Sequence, residues 1–217
     1  MRLVFLGPPG VGKGTQAAGL ATELSIPHIS TGALLREALE KGTETGLEAK
    51  TFMDAGELVP DSVVLRLVQD RISEPDATGG WLLDGYPRNL DQAAALAALL
   101  GELELALDRV VYFECSESEV VRRLGGRRVC RRCGDTYHVE FAPASGSCGA
   151  GSGEECDLYQ RSDDAEEAIL NRLEVYRRET DPLVEHYRDQ DLLAVVDGSV
   201  TIEAVSIALR EALGQTP

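Results

Sequence analysis

Residues 2–15 read R-L-V-F-L-G-P-P-G-V-G-K-G-T. The first five are mostly apolar and read as a short strand buried on both faces. Glycines at 7, 10, 12 and 14 then crowd a loop that holds Lys13 and ends at Thr15, and an alanine-rich helical stretch continues to Leu24. Strand, glycine loop and helix in that order give the G-x-x-x-x-G-K spacing its physical meaning. Glycines let successive backbone N–H groups converge on phosphate oxygens. The helix N-terminus adds its partial positive charge, and Lys13 reaches the β and γ phosphates. Gly10, Val11, Gly12, Lys13, Gly14 and Thr15 are therefore the expected triphosphate cradle. Gly14 stands where a hydroxyl residue usually follows the lysine, with Thr15 one place later. A plain glycine turn is the competing reading; lysine, threonine and helix in register argue against it.

Outward from this loop, apolar strands near residues 3, 27, 82, 112 and 194 alternate with amphipathic helices. That alternation predicts an α/β fold, a five-stranded parallel sheet with helices on both faces. Ligands should bind past the C-terminal ends of its strands. Helices are expected over 14–24, 30–39, 43–55, 61–72, 90–100, 117–124, 162–187 and 200–213, the seventh interrupted near Asp181 and Pro182. Asp61 is expected to cap the fourth, with Val64, Leu65 and Val68 on its inner face. Asp163 with Glu166 spells a capping box. Residues 30–59 read as two short helices forming a small movable insert. Periodicity fails over 125–159, where few core-sized apolar residues occur. That stretch reads as a second insert, held by metal or short strands.

The chain has 217 residues, 43% of them hydrophobic, and a formal charge of −16. This length supports a substantial core. The sequence enters a strand at once and has no apolar run of membrane-spanning length, so a cytoplasmic protein without a membrane partner is expected. The negative balance argues against bulk attraction to nucleic acid. It suits a high-salt cytoplasm, or it is ordinary acidic drift that aids solubility. Lysine occurs only at 13, 41 and 50, so one of three lies in the glycine loop. Of five cysteines, Cys115 stands alone and reads as a buried inert thiol. Cys130-x-x-Cys133-Gly is half of a zinc knuckle, and Cys148 and Cys156 are candidates to complete a Cys₄ site, with an unusual gap between them. His138 or Asp157 is an alternative for one thiolate. A disulfide is disfavoured in a reducing compartment.

Asp84 ends the strand W-L-L-D, across the sheet from the glycine loop, where a carboxylate holds Mg²⁺ or its waters; a turn cap is the plainer role. Gly85 and Pro87 make a rigid turn that projects Arg88, and Gln92 lies a helical turn further, able to read a base edge. Arg122, Arg123, Arg127, Arg128, Arg131 and Arg132 fall within eleven residues with no carboxylate among them. Arg123 and Arg127 are i,i+4 if the helix persists. Arg161 and Arg172 are eleven residues apart, which returns to one helical face. RNA binding is one reading of such a run. Beside a phosphate loop, the run points to polyphosphate, because phosphoryl transfer spreads charge over equatorial oxygens.

These motifs together resemble the adenylate kinase family in its long-lid, zinc-containing form. The matching segments are 7–15, S-T-G-A-L-L-R at 30–36, M-D-A-G-E-L-V at 53–59, L-D-G-Y-P-R at 83–88 with Gln92, 123–138, 159–167 and 196–198. The resemblance implies a P-loop nucleoside monophosphate kinase fold with two inserted small domains. The core would be 1–29, 60–125 and 164–217, the AMP-binding insert 30–59 and the lid 126–163. It implies reversible Mg²⁺-dependent transfer from ATP to AMP, giving two ADP, in a monomer. Thr31, Arg36, Leu58, Val59, Gly85, Arg88 and Gln92 would bind AMP. The glycine loop, Arg123, Arg127, Tyr137 and backbone near Gly198 would bind ATP. Asp163 and Asp164 would sit at the lid hinge or bind its arginines. Arg161 and Arg172 would bridge the transferring group, and Lys13, Arg88, Arg123, Arg161 and Arg172 would carry catalysis. The metals would be Mg²⁺ at Asp84 and structural Zn²⁺ at Cys130, Cys133, Cys148 and Cys156. Ala33 stands where many relatives carry Asp, and Val200 where a lysine is common. A UMP/CMP-type kinase is the alternative enzyme, though those usually have a short lid. A zinc-ribbon RNA binder is the non-enzymatic one.

Overall fold

The computed structural model describes residues 1–144, 148 and 155–214. In chain order, β1 (Arg2–Leu6) leads through the glycine loop to α1 (Lys13–Leu24) and β2 (His28–Ser30). Helices α2 (Thr31–Glu40), α3 (Glu44–Ala55) and α4 (Asp61–Ile72) precede β3 (Trp81–Asp84), α5 (Leu90–Glu102), β4 (Arg109–Glu114) and α6 (Glu117–Gly126). Three short strands follow: β5 (Arg127–Cys130), β6 (Thr136–His138) and β7 (Leu158–Tyr159). The chain closes with α7 (Glu166–Val175), α8 (Pro182–Arg188), β8 (Leu193–Asp197) and α9 (Ile202–Ala212).

The main sheet has the order β2-β3-β1-β4-β8, and every pairing is parallel. Alternation along β1 divides the interior. Val4 and Leu6 join one buried cluster with Ile29, Leu83 and residues of α4, α5 and α8, including Val68, Leu96 and Leu183. Leu3 and Phe5 join the other with Leu82, Phe113 and the α1 and α9 residues Leu20, Val205 and Leu209. Both faces are thus covered, which is why β1 carries no polar alternation. The chain leaves β1 toward β3 and β2 on one side and reaches β4 and β8 on the other. The crevice opens where these connections diverge, past the C-terminal ends of β1 and β3. Gly12 caps α1 at φ 104°, a left-handed conformation that glycine adopts without Cβ strain.

The stretch without periodicity contains the antiparallel sheet β6-β5-β7. A small cluster of Val120, Leu124, Ile169 and Leu173 packs α6 against α7 beneath it.

Three local expectations are corrected. Asp61 is the first residue of α4 and makes no cap; its carboxylate instead accepts hydrogen bonds from Asn89 and Gln92 of the next core helix. Leu65 is only partly buried, and Val63 and Ile72 take the inner face with Val64 and Val68. Asp163 caps nothing, because residues 162–164 form a 3₁₀ turn and α7 starts after Ala165 without a side-chain cap. The long seventh helix is interrupted next to Asp181 and Pro182 as expected: a π-helical turn over Tyr176–Thr180 precedes α8, which begins at Pro182. That turn brings Thr180 Oγ1 to the Arg88 carbonyl, 2.7 Å away. Expanded turns of this kind are common where a helix lines a functional site.

Candidate active site

A cleft of about 1070 Å³ opens at the C-terminal ends of β1 and β3. The glycine loop floors it, with Gly10, Val11, Gly12, Lys13, Gly14 and Thr15 all on its wall. Lys13 Nζ donates to the carbonyls of Gly7 and Pro8, at 2.7 and 2.9 Å, so the loop holds its own lysine in place. Phe5 of β1 pairs with Asp84 of β3. This register brings the Asp84 carboxylate beside the loop: a Cβ added at Gly14 would lie 3.5 Å from its Oδ2. His28 Nε2 lies 3.4 Å from the same oxygen. Burial opposes ionisation of Asp84, but the His28 hydrogen bond and the charges of Lys13 and Arg88 outweigh it and hold the carboxyl below its usual range.

Arg36, Leu58, Val59, Gly85, Arg88, Arg123, Arg127, Tyr137, Arg161, Arg172 and Gly198 also line the cleft. A smaller adjoining cavity is lined by Thr31, Leu58, Val59, Gly85, Arg88 and Gln92. Thr31 Oγ1 and Arg88 Nε both donate to the Gly85 carbonyl. Gln92 is buried, and both ends of its amide are committed: Oε1 accepts from the Arg88 backbone and Nε2 donates to Asp61. Arg88 is thereby fixed through Gly85, Gln92 and Thr180.

The arginines reach the cleft by routes other than helical phase. α6 ends at Gly126, so Arg127 begins β5 and does not share a helix with Arg123. Arg161 precedes the 3₁₀ turn and shares no helix with Arg172. Carboxylates distant in sequence hold them. Asp164, fully buried, accepts from Arg127 at 2.7 and 2.5 Å and from Arg172 at 3.3 Å. Asp163 accepts from Arg172 through its backbone and side chain. Arg123 donates Nε to Glu119, Nη1 to the Val11 and Gly198 carbonyls and Nη2 to Ser199. These bonds tie the glycine loop to the turn after β8 and consume most of its donors. Glu119 and Thr180 were not among the sequence candidates. Glu119 is marked locally by its i,i+3 and i,i+4 spacing to Arg122 and Arg123 on α6, whereas nothing local marks Thr180, whose partner is the Arg88 carbonyl.

This gathering of positive charge is strained. Burial pushes the Lys13 ammonium down to about 8, with Asp84 partly offsetting and Arg88, Arg172 and Arg127 adding to the shift. Burial and the neighbouring Arg161 push Arg36 to about 10. Arg88, Arg161 and Arg172 are lowered by burial and by other arginines. Arg161 Nε is buried with no hydrogen-bond partner. A polar group so placed costs about 1–3 kcal/mol unless a ligand satisfies it.

In the small sheet, the four sulfurs of Cys130, Cys133, Cys148 and Cys156 all lie within 4.8 Å of one another. Cys130 and Cys148 are 3.6 Å apart, and the Arg132 N–H points at Cys130 Sγ. The other ligand candidates are engaged elsewhere: His138 Nδ1 accepts from the Glu140 and Phe141 N–H groups, and Asp157 faces Arg131.

A glycine-cradled lysine, a strand-end carboxylate across the sheet and a ring of buried cations place the chain among the P-loop phosphotransferases. A model of the family described as adenylate kinase matches residues 5–192. The chain is 49% identical over 215 residues to the adenylate kinase of Methanocella arvoryzae, covering 98% of each. It is 50% identical over 215 residues to that of Carboxydothermus hydrogenoformans, covering 98% of this chain and 99% of the relative. For the adenylate kinase of Archaeoglobus fulgidus the identity is 49% over 207 residues, 94% of each. The chain belongs to the adenylate kinase family.

Proposed function

We propose that the cleft seats ATP on the glycine loop and AMP at its other end, against Arg36, Leu58, Val59 and Arg88, and aligns them for direct transfer. The chain is an adenylate kinase, catalysing reversible phosphoryl transfer from ATP to AMP with formation of two ADP. The observation that carries the residue assignment is the half-buried set of Lys13, Arg36, Arg88, Arg161 and Arg172 on the cleft wall, each with its charge disfavoured until an anion enters. Two nucleotide phosphate chains supply that anion.

Arg88 positions the AMP α-phosphate. One of its oxygens attacks the γ-phosphorus in line, while the bond to the ADP oxygen breaks. Lys13, Arg161 and Arg172 meet the charge spread over the equatorial oxygens. Asp84 fits a magnesium site by its ionisation and its position beside the loop, and the bound ion would neutralise the β and γ oxygens. Ala33 offers no carboxylate there, so Asp84 does that work with His28 behind it. Residues 30–59 and 126–163 act as an insert and lid that close and exclude water. Contact between Ser162 Oγ and Asp54 Oδ1, at 2.7 Å, fits that closure. Four thiols at these separations suit a tetrahedral zinc with bonds of about 2.3 Å, which would hold the small sheet together. No helix among the described residues is long and apolar enough to cross a membrane.

Product stoichiometry tests this reading. MgATP with AMP should yield two ADP per ATP consumed and almost no inorganic phosphate. One ADP and one phosphate per ATP, independent of AMP, would mark an ATPase and contradict it.

The depressed Lys13 pKa gives a second expectation. The ammonium is the phosphate-binding form; in the free enzyme it predominates below about pH 8 and is lost above. kcat/KM for ATP reports the free enzyme, so it should fall as pH rises through about 8. Bound triphosphate raises the lysine's pKa, so kcat should hold to higher pH. A kcat/KM that stays flat to about pH 9.5, well above the pKa of the free lysine, would contradict the assignment.

A further inference from the structure

Among the described residues, Tyr137 touches both the cysteine cluster and the nucleotide cleft. Tyr137 lies on β6, paired with Arg128 of β5. It lines the cleft, and its hydroxyl oxygen is 3.3 Å from Cys156 Sγ and 4.0 Å from Cys133 Sγ. With a metal bound, those sulfurs are thiolates and accept only, so the phenol O–H is the donor. A hydrogen bond to a metal-bound thiolate withdraws charge from sulfur and fixes the ligand's orientation. The same bond fixes the phenol against the cleft.

We propose that Tyr137 couples metal occupancy of the lid to binding of the donor nucleotide. Its hydroxyl, anchored on the Cys156 thiolate, sets the ring's position at the nucleotide wall, and a nucleotide packed against the ring in turn holds the hydroxyl on the sulfur. The coupling is reciprocal: metal tightens nucleotide binding by the factor by which nucleotide tightens metal binding. The inference rests on the kinase reading of the cleft and on the fit of four thiols to one metal. The knuckle itself explains why one side chain can carry the coupling. Cys130 N donates to Asp135 O, Gly134 N to Cys130 O and Arg131 N to Asp157 O. That backbone is already closed, and Tyr137 OH is a contact that reaches from the metal site to the cleft.

Cobalt in place of zinc reads the sulfurs directly, through the thiolate-to-cobalt absorption band. In the wild-type chain loaded with Co²⁺, a β,γ-methylene ATP analogue should shift that band, and it should slow loss of zinc from the zinc form to a chelator several-fold. Tyr137→Phe keeps the ring. It should show the band without the nucleotide shift, lose zinc roughly ten-fold faster, and gain no protection from the analogue. A Tyr137→Phe chain with the wild-type shift and protection would overturn the coupling, as would a wild-type chain showing neither. Faster zinc loss with protection intact would also overturn it, reducing Tyr137 to a ligand support. Absence of the thiolate band would overturn it at the metal. A band-bearing protein that forms no ADP from ATP and AMP would overturn the kinase reading instead.

Discussion

Lys13→Met should lower kcat/KM for ATP by about 10²–10³-fold or more, the loss expected when one preorganised donor to a developing oxyanion is removed. Lys13 is held within the glycine loop by its bonds to the Gly7 and Pro8 carbonyls, on the wall of the cleft. A charge held in place by the loop contributes electrostatically at the transition state when the phosphates are bound. Methionine keeps the unbranched stem and removes the charge. Because the buried ammonium is itself disfavoured in the empty cleft, the variant should melt close to the wild-type temperature. Steady-state rates beside a melting curve separate the two effects. Near-normal turnover in a folded Lys13→Met protein would remove Lys13 from the mechanism.

Arg88→Ala should have a comparable effect on the acceptor side: a fall of about 10²–10³-fold in kcat, a raised KM for AMP and little change in KM for ATP. Three contacts from three elements set this guanidinium in place. Its Nε is spent on Gly85, its backbone N–H on Gln92 and its carbonyl on Thr180. Two terminal amino groups remain to grip a phosphate. Lysine lacks the planar fork and should restore little. An equal loss for ATP and AMP would instead indicate collapse of the turn, and full rescue by lysine would contradict the bidentate grip.

The glycine loop, the five parallel strands and the ends that carry Asp84 and Arg88 are legible in the sequence because each is local. A strand, a loop and a helix in register are read from adjacent residues, and β1 buried on both faces shows as an unbroken apolar run. The cations were legible as types and not as geometry. Arg123 with Arg127, and Arg161 with Arg172, have helical spacing, yet a helix ends at Gly126 and another starts only after Ala165. Arg127 and Arg172 converge because Asp164 and Asp163 hold them, pairings that bridge separate elements, while Arg123 is held by Glu119 of its own helix and by carbonyls of the glycine loop and the turn after β8. Gln92 illustrates the same limit. An amide at that position suits base reading, but the fold spends it on Asp61 and Arg88. Reading a base would require exchange of one of those partners. The cysteines err the other way: the gap from Cys148 to Cys156 looks wrong for a zinc knuckle, while the folded chain brings all four sulfurs together. Metal ligation depends on where sulfurs meet, and spacing is only a proxy for that.

The excess of Asp and Glu lies against this inward-facing positive ring. The chain carries −16 overall, yet its cleft gathers Lys13 and the arginines. Net charge therefore describes the surface, and the cleft's field is what a polyanion meets. The arginine run that suggested RNA is largely occupied: Arg122 and Arg123 by Glu119, Arg127 by Asp164 and Arg131 by Asp157.

The central claim is that this cleft joins ATP to AMP. The most direct test is the initial rate of ADP formation from MgATP with AMP, CMP, UMP or GMP as acceptor at equal, subsaturating concentration. AMP should exceed each of the others by at least about ten-fold in kcat/KM, since about 1.4 kcal/mol of differential transition-state binding suffices for that ratio. CMP or UMP matching or outrunning AMP would contradict the account.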